Sequence, residues 1–129
     1  MTVKKKLLFV DDRSKRIKEA LIKYSGFDVS IAPNVPETLR LLSREDFEIV
    51  SLDFDLNGHD YTDPDSKACG MEIVRYLEKT AWPTQRALPT FIIHSSNSFG
   101  SGLMFRRLNS LFPSSNILKQ PFSLMGAEG

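Results

Sequence analysis

Short apolar runs that stop at polar residues punctuate the chain. Leu7-Leu8-Phe9-Val10 ends at Asp11-Asp12, and Thr90 to Ile93 ends at His94-Ser95-Ser96-Asn97. Continuous runs of that length suit parallel strands covered on both faces. Phe27, Val29 and Ile31 alternate with Asp28 and Ser30, the period of a half-buried strand near a sheet edge. Glu48 to Asp53 predicts a third strand, and Ile117-Leu118 a short fifth one ended by Lys119-Gln120-Pro121. Between these runs the period changes to that of a helix. Ile17, Ala20, Leu21 and Tyr24 are followed by a stop at Gly26, and Pro36 opens a second pattern with Leu39 and Leu42 on one face. Met71, Ile73, Val74 and Leu77 mark a third helix, and Leu103 to Leu111 a fourth, closed by Pro113.

Strands and helices alternate five times, which predicts an α/β fold with a doubly wound, five-stranded parallel sheet. In such sheets the ligand site lies beyond the carboxyl ends of the strands. Asp11-Asp12, Asp53 with Asp55, His94-Ser95 and Lys119 all fall at such ends. The stretch V-S-L-D-F-D-L from Val50 to Leu56 sharpens the point, because aspartate is a poor strand residue and an unpaired buried carboxylate costs several kcal/mol. Crowded carboxylates repel one another, and a hard divalent cation relieves the repulsion. A metal-loaded aspartate can attack phosphorus to give an acyl phosphate, with a lysine or hydroxyl completing the cradle. Asp53 is the natural nucleophile on this reading.

Bulk properties exclude other classes. A length of 129 residues fits one domain spanning 1–129, and a charge of +1, from 17 basic and 16 acidic residues, gives no argument for nucleic acid. Lys4-Lys5-Lys6 reads as a solvated lead-in. The single cysteine, Cys69, excludes an internal disulfide and reads as a small residue at a helix start. No apolar run reaches the ~20 residues a bilayer needs, and no signal-peptide h-region is seen, so no membrane role and a cytoplasmic location are expected.

L-L-F-V-D-D and S-L-D-F-D-L resemble the receiver domains of two-component response regulators, over Leu7 to about Phe122. The resemblance implies flavodoxin-like topology and a phospho-acceptor at Asp53. It also implies Mg2+ (or Mn2+) held by Asp12 directly, Asp11 through water, Asp53, and the backbone carbonyl of Asp55. A histidine kinase or phosphotransfer protein would supply the phosphoryl group, and the domain would act as a stand-alone switch docking on an output protein. Two positions depart from the pattern. His94 stands where receivers carry Thr or Ser, with Ser95 next, and Gln120 stands before the proline where they carry Lys. Side chains alternate along a strand, so the slip predicts that Lys119 turns away from the pocket. His94, Ser95 and Lys119 are the candidate phosphate contacts.

S-L-D-F-D-L with G-M-E-I-V-R-Y-L and I-I-H-S-S-N-S-F-G is also similar to a divergent receiver family predicted to process cyclic phosphates. That resemblance implies the alternative function, binding or processing a phosphorylated small molecule in the same pocket. A pseudo-receiver adaptor without phosphotransfer is the third reading. The D-x-D spelling is similar to haloacid-dehalogenase-type phosphatases, but those carry it on their first strand.

Three further expectations follow. His59, Asp60, Asp63 and Asp65 form an acidic loop that is a candidate second metal site, and the loop from Asn57 to Gly70 is long enough to act as a lid. Trp82 beside Pro83 reads as a cap on the core. Eight residues after Pro121 predict a fifth helix that is short or missing, in a domain alone or cut from a longer protein. That leaves apolar surface near Leu7, Phe9 and Ile117 for a partner or a homodimer.

Overall fold

The computed structural model describes residues 3–56, 62–113 and 115–120. Strands β1 (Lys6–Val10), β2 (Asp28–Ala32), β3 (Ile49–Leu52), β4 (Thr90–Ile93) and β5 (Ile117–Lys119) alternate with helices α1 (Ser14–Lys23), α2 (Val35–Arg44), α3 (Gly70–Lys79) and α4 (Ser98–Leu111). The strands form one sheet in the order β2-β1-β3-β4-β5, parallel at each pairing. This is the flavodoxin-like receiver topology expected, with β2 at an edge as its alternating pattern implies.

Two apolar layers sandwich the sheet. Leu8, Val10, Val50, Leu52, Phe91 and Ile93 turn toward α2, α3 and α4 and form the larger core. Leu7 and Phe9 turn the other way, onto Ala20 and Ile17 of α1. Burial of a side chain of this kind contributes about 1.5–3 kcal/mol. Trp82 packs against the larger core, edge-on to Phe112, and donates its Nε1–H to Arg86 O at 3.1 Å, as a core cap should.

Leu7, Phe9 and Ile117 do not themselves supply the apolar surface expected near them, although Val29, Ile31 and Ile49 beside Leu7 and Phe9 are only partly buried. Leu7 and Phe9 are fully buried and Ile117 retains 8% exposure within the single chain. The reason is geometric: α1 covers the first two, and Ile117 faces the α4 side, in the layer with Phe91. The predicted short fifth helix falls in residues 121–129, outside the described residues. The fourth helix starts five residues before Leu103, because Asn97 caps it by accepting from Gly100 N at 3.0 Å.

Helix starts differ in one informative way. Helix α2 has Asn34 accepting from Glu37 N at 2.9 Å, Pro36 in its first turn and Glu37 as a first-turn acid. Helix α1 has no side-chain cap and no acid in its first turn, but it carries Lys15 and Arg16 there. Cations at a helix N-terminus oppose the helix dipole. Something beyond α1 must compensate them.

Candidate acidic site at the carboxyl edge of the sheet

The strand register fixes a row. Phe9 lies beside Ser51 and Ser51 beside Ile92; one step on, Val10 lies beside Leu52, Leu52 beside Ile93, and Ile93 beside Lys119. Amide bonds carry the ladder one residue further, from Asp53 N to Val10 O (3.1 Å), His94 N to Leu52 O (2.9 Å) and Gln120 N to Ile93 O (2.9 Å). Asp11, Asp53 and His94 therefore align on the α1 face, while Lys119 belongs to the preceding row on the opposite face. One ligand atom from each of Asp11, Asp53 and His94 lies within 4.8 Å of the others. Exposures are 0%, 1% and 2%.

Two glycines pack on the Asp53–Phe54 segment, one on its backbone and one on the Phe54 ring. A Cβ on Gly70 would stand 2.3 Å from Asp53 O, and one on Gly100 would stand 2.3 Å from the Phe54 ring. Gly70 N also donates to Phe54 O at 2.7 Å. The start of α3 thus closes directly onto the Asp53–Phe54 backbone and α4 onto the Phe54 ring, approaches that only the missing side chains permit.

His94 is hydrogen-bonded at both ring nitrogens, Nδ1 at 2.7 Å from Ser51 Oγ and Nε2 at 2.9 Å from Asp11 Oδ2. Its ring stacks on Phe9 at 4.5 Å between centroids. Burial pushes the imidazole below its ordinary pKa, so it stays neutral despite the neighbouring carboxylate. An ionised Asp11 can only accept, so Nε2–H donates to it and Nδ1 accepts from the Ser51 hydroxyl. Burial also pushes Asp11 upward. The hydrogen bonds from His94 and from Arg13 N (2.9 Å) and the Arg16 charge outweigh that, leaving the carboxyl below its ordinary range.

Asp53 goes the other way. Burial, reinforced by the charge of Asp11, pushes its pKa up to about 7, although Arg16 and the Ser95 hydroxyl pull it down. Its Oδ1 is buried and has no hydrogen-bond partner. The compensating cation is Arg16, whose Nη1 lies 3.5 Å from Asp11 Oδ2 and 3.4 Å from Asp53 Oδ2. Its Nη2 donates to Ser96 Oγ at 3.3 Å. This answers the anomaly of α1: the row of carboxylates, not the helix, holds the cation in its first turn.

Of the other predicted residues, Ser95 adjoins this trio and the rest lie outside it. Asp12 is half-buried and outside it. The Asp55 carboxylate is buried and tethers loops, accepting from Thr62 N (2.7 Å) and Asn97 Nδ2 (3.3 Å). Ser95 is buried beside Asp53, accepting from Asn97 N at 3.1 Å. Lys119 is exposed, its Nζ 5.2 Å from the centre of the Phe105 ring of α4, as the one-residue slip predicts. In the long loop, His59 and Asp60 lie outside the described residues. Asp63 and Asp65 are exposed and share a turn in which Asp65 N donates to Asp63 Oδ1 at 2.9 Å. Cys69 is buried before α3 with its thiol pKa raised by burial, which fits a small structural residue.

Sequence reasoning missed Arg16 and Ser51. Both left a signal. Arg16 is a cation in the first turn of a helix just after two aspartates, and Ser51 is the one polar residue in a buried strand, two positions before Asp53 and so on its face.

The row offers a hard cation a suitable site. Two carboxylates converge, and one of them presents a buried oxygen with nothing bonded to it, which is the environment a divalent ion satisfies. His94 is a poorer ligand, since its Nε2 proton faces Asp11.

The family described as "Cyclic-phosphate processing Receiver domain" matches residues 6–110. No curated protein matches the sequence. Among solved structures, a Francisella response regulator receiver domain is similar at 23% identity and a TM-score of 0.60, over 95% of this chain and 89% of that one. The receiver domain of a LuxO-type repressor from Vibrio parahaemolyticus aligns at 14% identity and a TM-score of 0.62, over 98% and 87%. A Burkholderia pseudomallei response regulator with a phosphorylated aspartic acid, a calcium ion and citrate aligns at 17% identity and a TM-score of 0.58, over 96% and 72%.

Proposed function

Since the chain belongs to the cyclic-phosphate processing receiver family, we propose that it opens a cyclic phosphate ester at Asp53. The observation that carries this reading is the buried, unpartnered Oδ1 of Asp53 in a row that also supplies a cation, Arg16. A desolvated carboxylate oxygen with no hydrogen bond is a better nucleophile than a solvated one. Its Oδ1 forms a bond to phosphorus while the ring P–O bond breaks, and the released alkoxide takes a proton from water. Water then cleaves the acyl phosphate ester, restoring the carboxylate and releasing a phosphate monoester. The sum is one cyclic ester plus one water to one monoester.

Arg16 is placed to pair with phosphoryl oxygens as negative charge grows on them. His94 acts through Asp11, fixing the orientation of that carboxylate with Ser51 behind it. A Mg2+ or Mn2+ ion would be held by Asp11 and Asp53, with Asp12 and the Asp55 carbonyl as outer candidates, and would offset charge on the phosphoryl group. The geometry favours this chemistry over an ordinary signalling switch. The hydroxyl position at the end of β4 is filled by a buried histidine bonded at both nitrogens, and Lys119 faces away from Asp53.

A second reading keeps Asp53 as a phospho-acceptor served by a histidine kinase or phosphotransfer protein in the cytoplasm. The phosphorylated aspartic acid in the Burkholderia relative supports it. One experiment separates the two. The protein is incubated with MgCl2 and either acetyl phosphate or a nucleoside cyclic phosphate, and is followed by intact mass and phosphorus NMR. Ring opening that Asp53→Ala abolishes supports the first reading. A lasting phosphoryl adduct from acetyl phosphate without ring opening replaces it with the second.

A further inference from the structure

On the α4 side of the same edge lies a cavity of about 250 Å³ walled by Ile93, Ser95, Ser96, Ser98, Ser101 and Lys119. Ile93, four serines and Lys119 line it, and more of its surface is apolar than polar. Among the described residues no carboxylate lines it. We propose that this cavity is an oxyanion subsite that holds a phosphate group distinct from the one presented to Asp53.

The hydrogen bonds say which way the hydroxyls face chemically. Ser96 Oγ already accepts from Arg16 Nη2 at 3.3 Å, so its remaining proton is a donor. Ser101 Oγ donates to Ser95 O at 3.1 Å, which locks the Ser95–Ser101 wall in place rather than leaving it to collapse inward. Ser98 opens α4, a helix of 14 residues whose N-terminal end favours a negative charge. Lys119 rests over the Phe105 ring, and none of the salt bridges among the described residues involves it. Ser96, Ser98 and Lys119 thus offer donors from three segments of chain. A carboxylate has two oxygens for them, and a phosphate has at least three. Ser95 and Ser96 border both regions, since Ser95 acts on Asp53 and Ser96 is bonded to Arg16. The cavity therefore adjoins the acidic row, and a ligand with two phosphate groups can reach both.

The assignment of the second phosphate to a substrate rests on the phosphate-ester reading of Asp53. Occupancy of the cavity does not, and it is measured separately. Inorganic phosphate is titrated into metal-free protein against chloride at equal ionic strength, with amide NMR as the readout. Saturable shifts centred on Ser96, Ser98, Ser101 and Lys119 are expected. Lys119→Ala should weaken binding at least tenfold, Lys119→Arg should keep it within threefold, and Asp53→Asn should leave it nearly unchanged. Shifts centred on Arg16 and Asp53, an unaltered Lys119→Ala variant, or no saturable binding overturns the proposal. A second arm adds MgCl2 and compares a nucleoside bisphosphate with the monophosphate. About tenfold tighter binding of the bisphosphate, lost in Lys119→Ala, identifies the occupant as the ligand's own second phosphate. Equal binding of the two identifies it as free phosphate. If ring opening at Asp53 fails while phosphate still fills the cavity, the function proposed above falls and this subsite stands.

Discussion

The two sides of the sheet's carboxyl edge solve opposite electrostatic problems. On the α1 face, Asp11, Asp53 and His94 are almost completely buried, and their charge is managed by internal partners: Arg16, the Arg13 amide and the Ser51 hydroxyl. On the α4 face, Ser95, Ser96, Ser98, Ser101 and Lys119 surround open space, and the cation there is exposed. The buried side is tuned by its neighbours and is sensitive to any one of them. The open side is tuned by what enters from solvent. Substitutions should therefore be costly on one face and nearly silent for stability on the other.

The sharpest break of that contrast is at Asp53. Its pKa is raised from 3.8 to about 7, so the folded state holds a proton that the unfolded chain has lost over that interval. The contribution of Asp53 to the stability of the metal-free protein should accordingly fall as pH rises from about 4 to 7 and then level off, a difference of up to roughly 4 kcal/mol at 1.36 kcal/mol per pH unit, read against Asp53→Asn because the lowered pKa of His94 acts in the opposite direction. Asp53→Asn removes the charge. Urea unfolding should find it more stable than the parent at pH 8 and similar at pH 4, with Mg2+ closing the gap by stabilising the parent. A parent whose stability relative to Asp53→Asn does not fall between pH 4 and 7 would contradict the reading of Asp53.

Next comes Gly70→Ala. Its Cβ would stand 2.3 Å from Asp53 O, so the Asp53–Phe54 backbone must move. A cost of about 1–3 kcal/mol is expected, with loss of divalent-cation binding measured by calorimetry. Retention of full cation affinity would show that the row tolerates displacement. Ser51→Ala leaves His94 Nδ1 buried without a donor and should cost about 1–3 kcal/mol in thermal unfolding, whereas Ser51→Thr keeps the hydroxyl. An Ala variant as stable as the parent would mean that Nδ1 has found another partner. Lys119→Ala is expected to change stability by less than about 0.5 kcal/mol. If it destabilised the fold as much as Ser51→Ala does, the division between the two faces would be wrong.

Much of this was legible in the chain. The alternation of apolar runs with helical patterns gave the order of elements, and the apolar run of β4 gave its limits. Polar residues at four strand ends pointed to the edge that carries the site. The departure at Gln120 even indicated that Lys119 would lie on the other face, because a strand without a bulge keeps its period of two. Burial of Leu7 and Phe9 was misjudged, since coverage by a helix depends on where α1 settles across the sheet, and no local pattern states that.

By itself, then, the sequence determined the parallel sheet and the position of Asp53, because these follow from periodicity and from residues that sit where a strand stops, while its motifs carried the resemblance to receiver domains. The tertiary structure decided everything that depends on distance between elements. Arg16 reaches across from α1 to two carboxylates, Ser51 and His94 complete the support of Asp11 from separate strands, and two glycines let α3 close on the Asp53 peptide and α4 on the Phe54 ring. The physical reason is that a pKa, an unpartnered oxygen and a cavity are properties of neighbours in space, and β1, β3 and β4 bring together residues 42, 41 and 83 positions apart along the chain (Asp11 to Asp53, Asp53 to His94, Asp11 to His94).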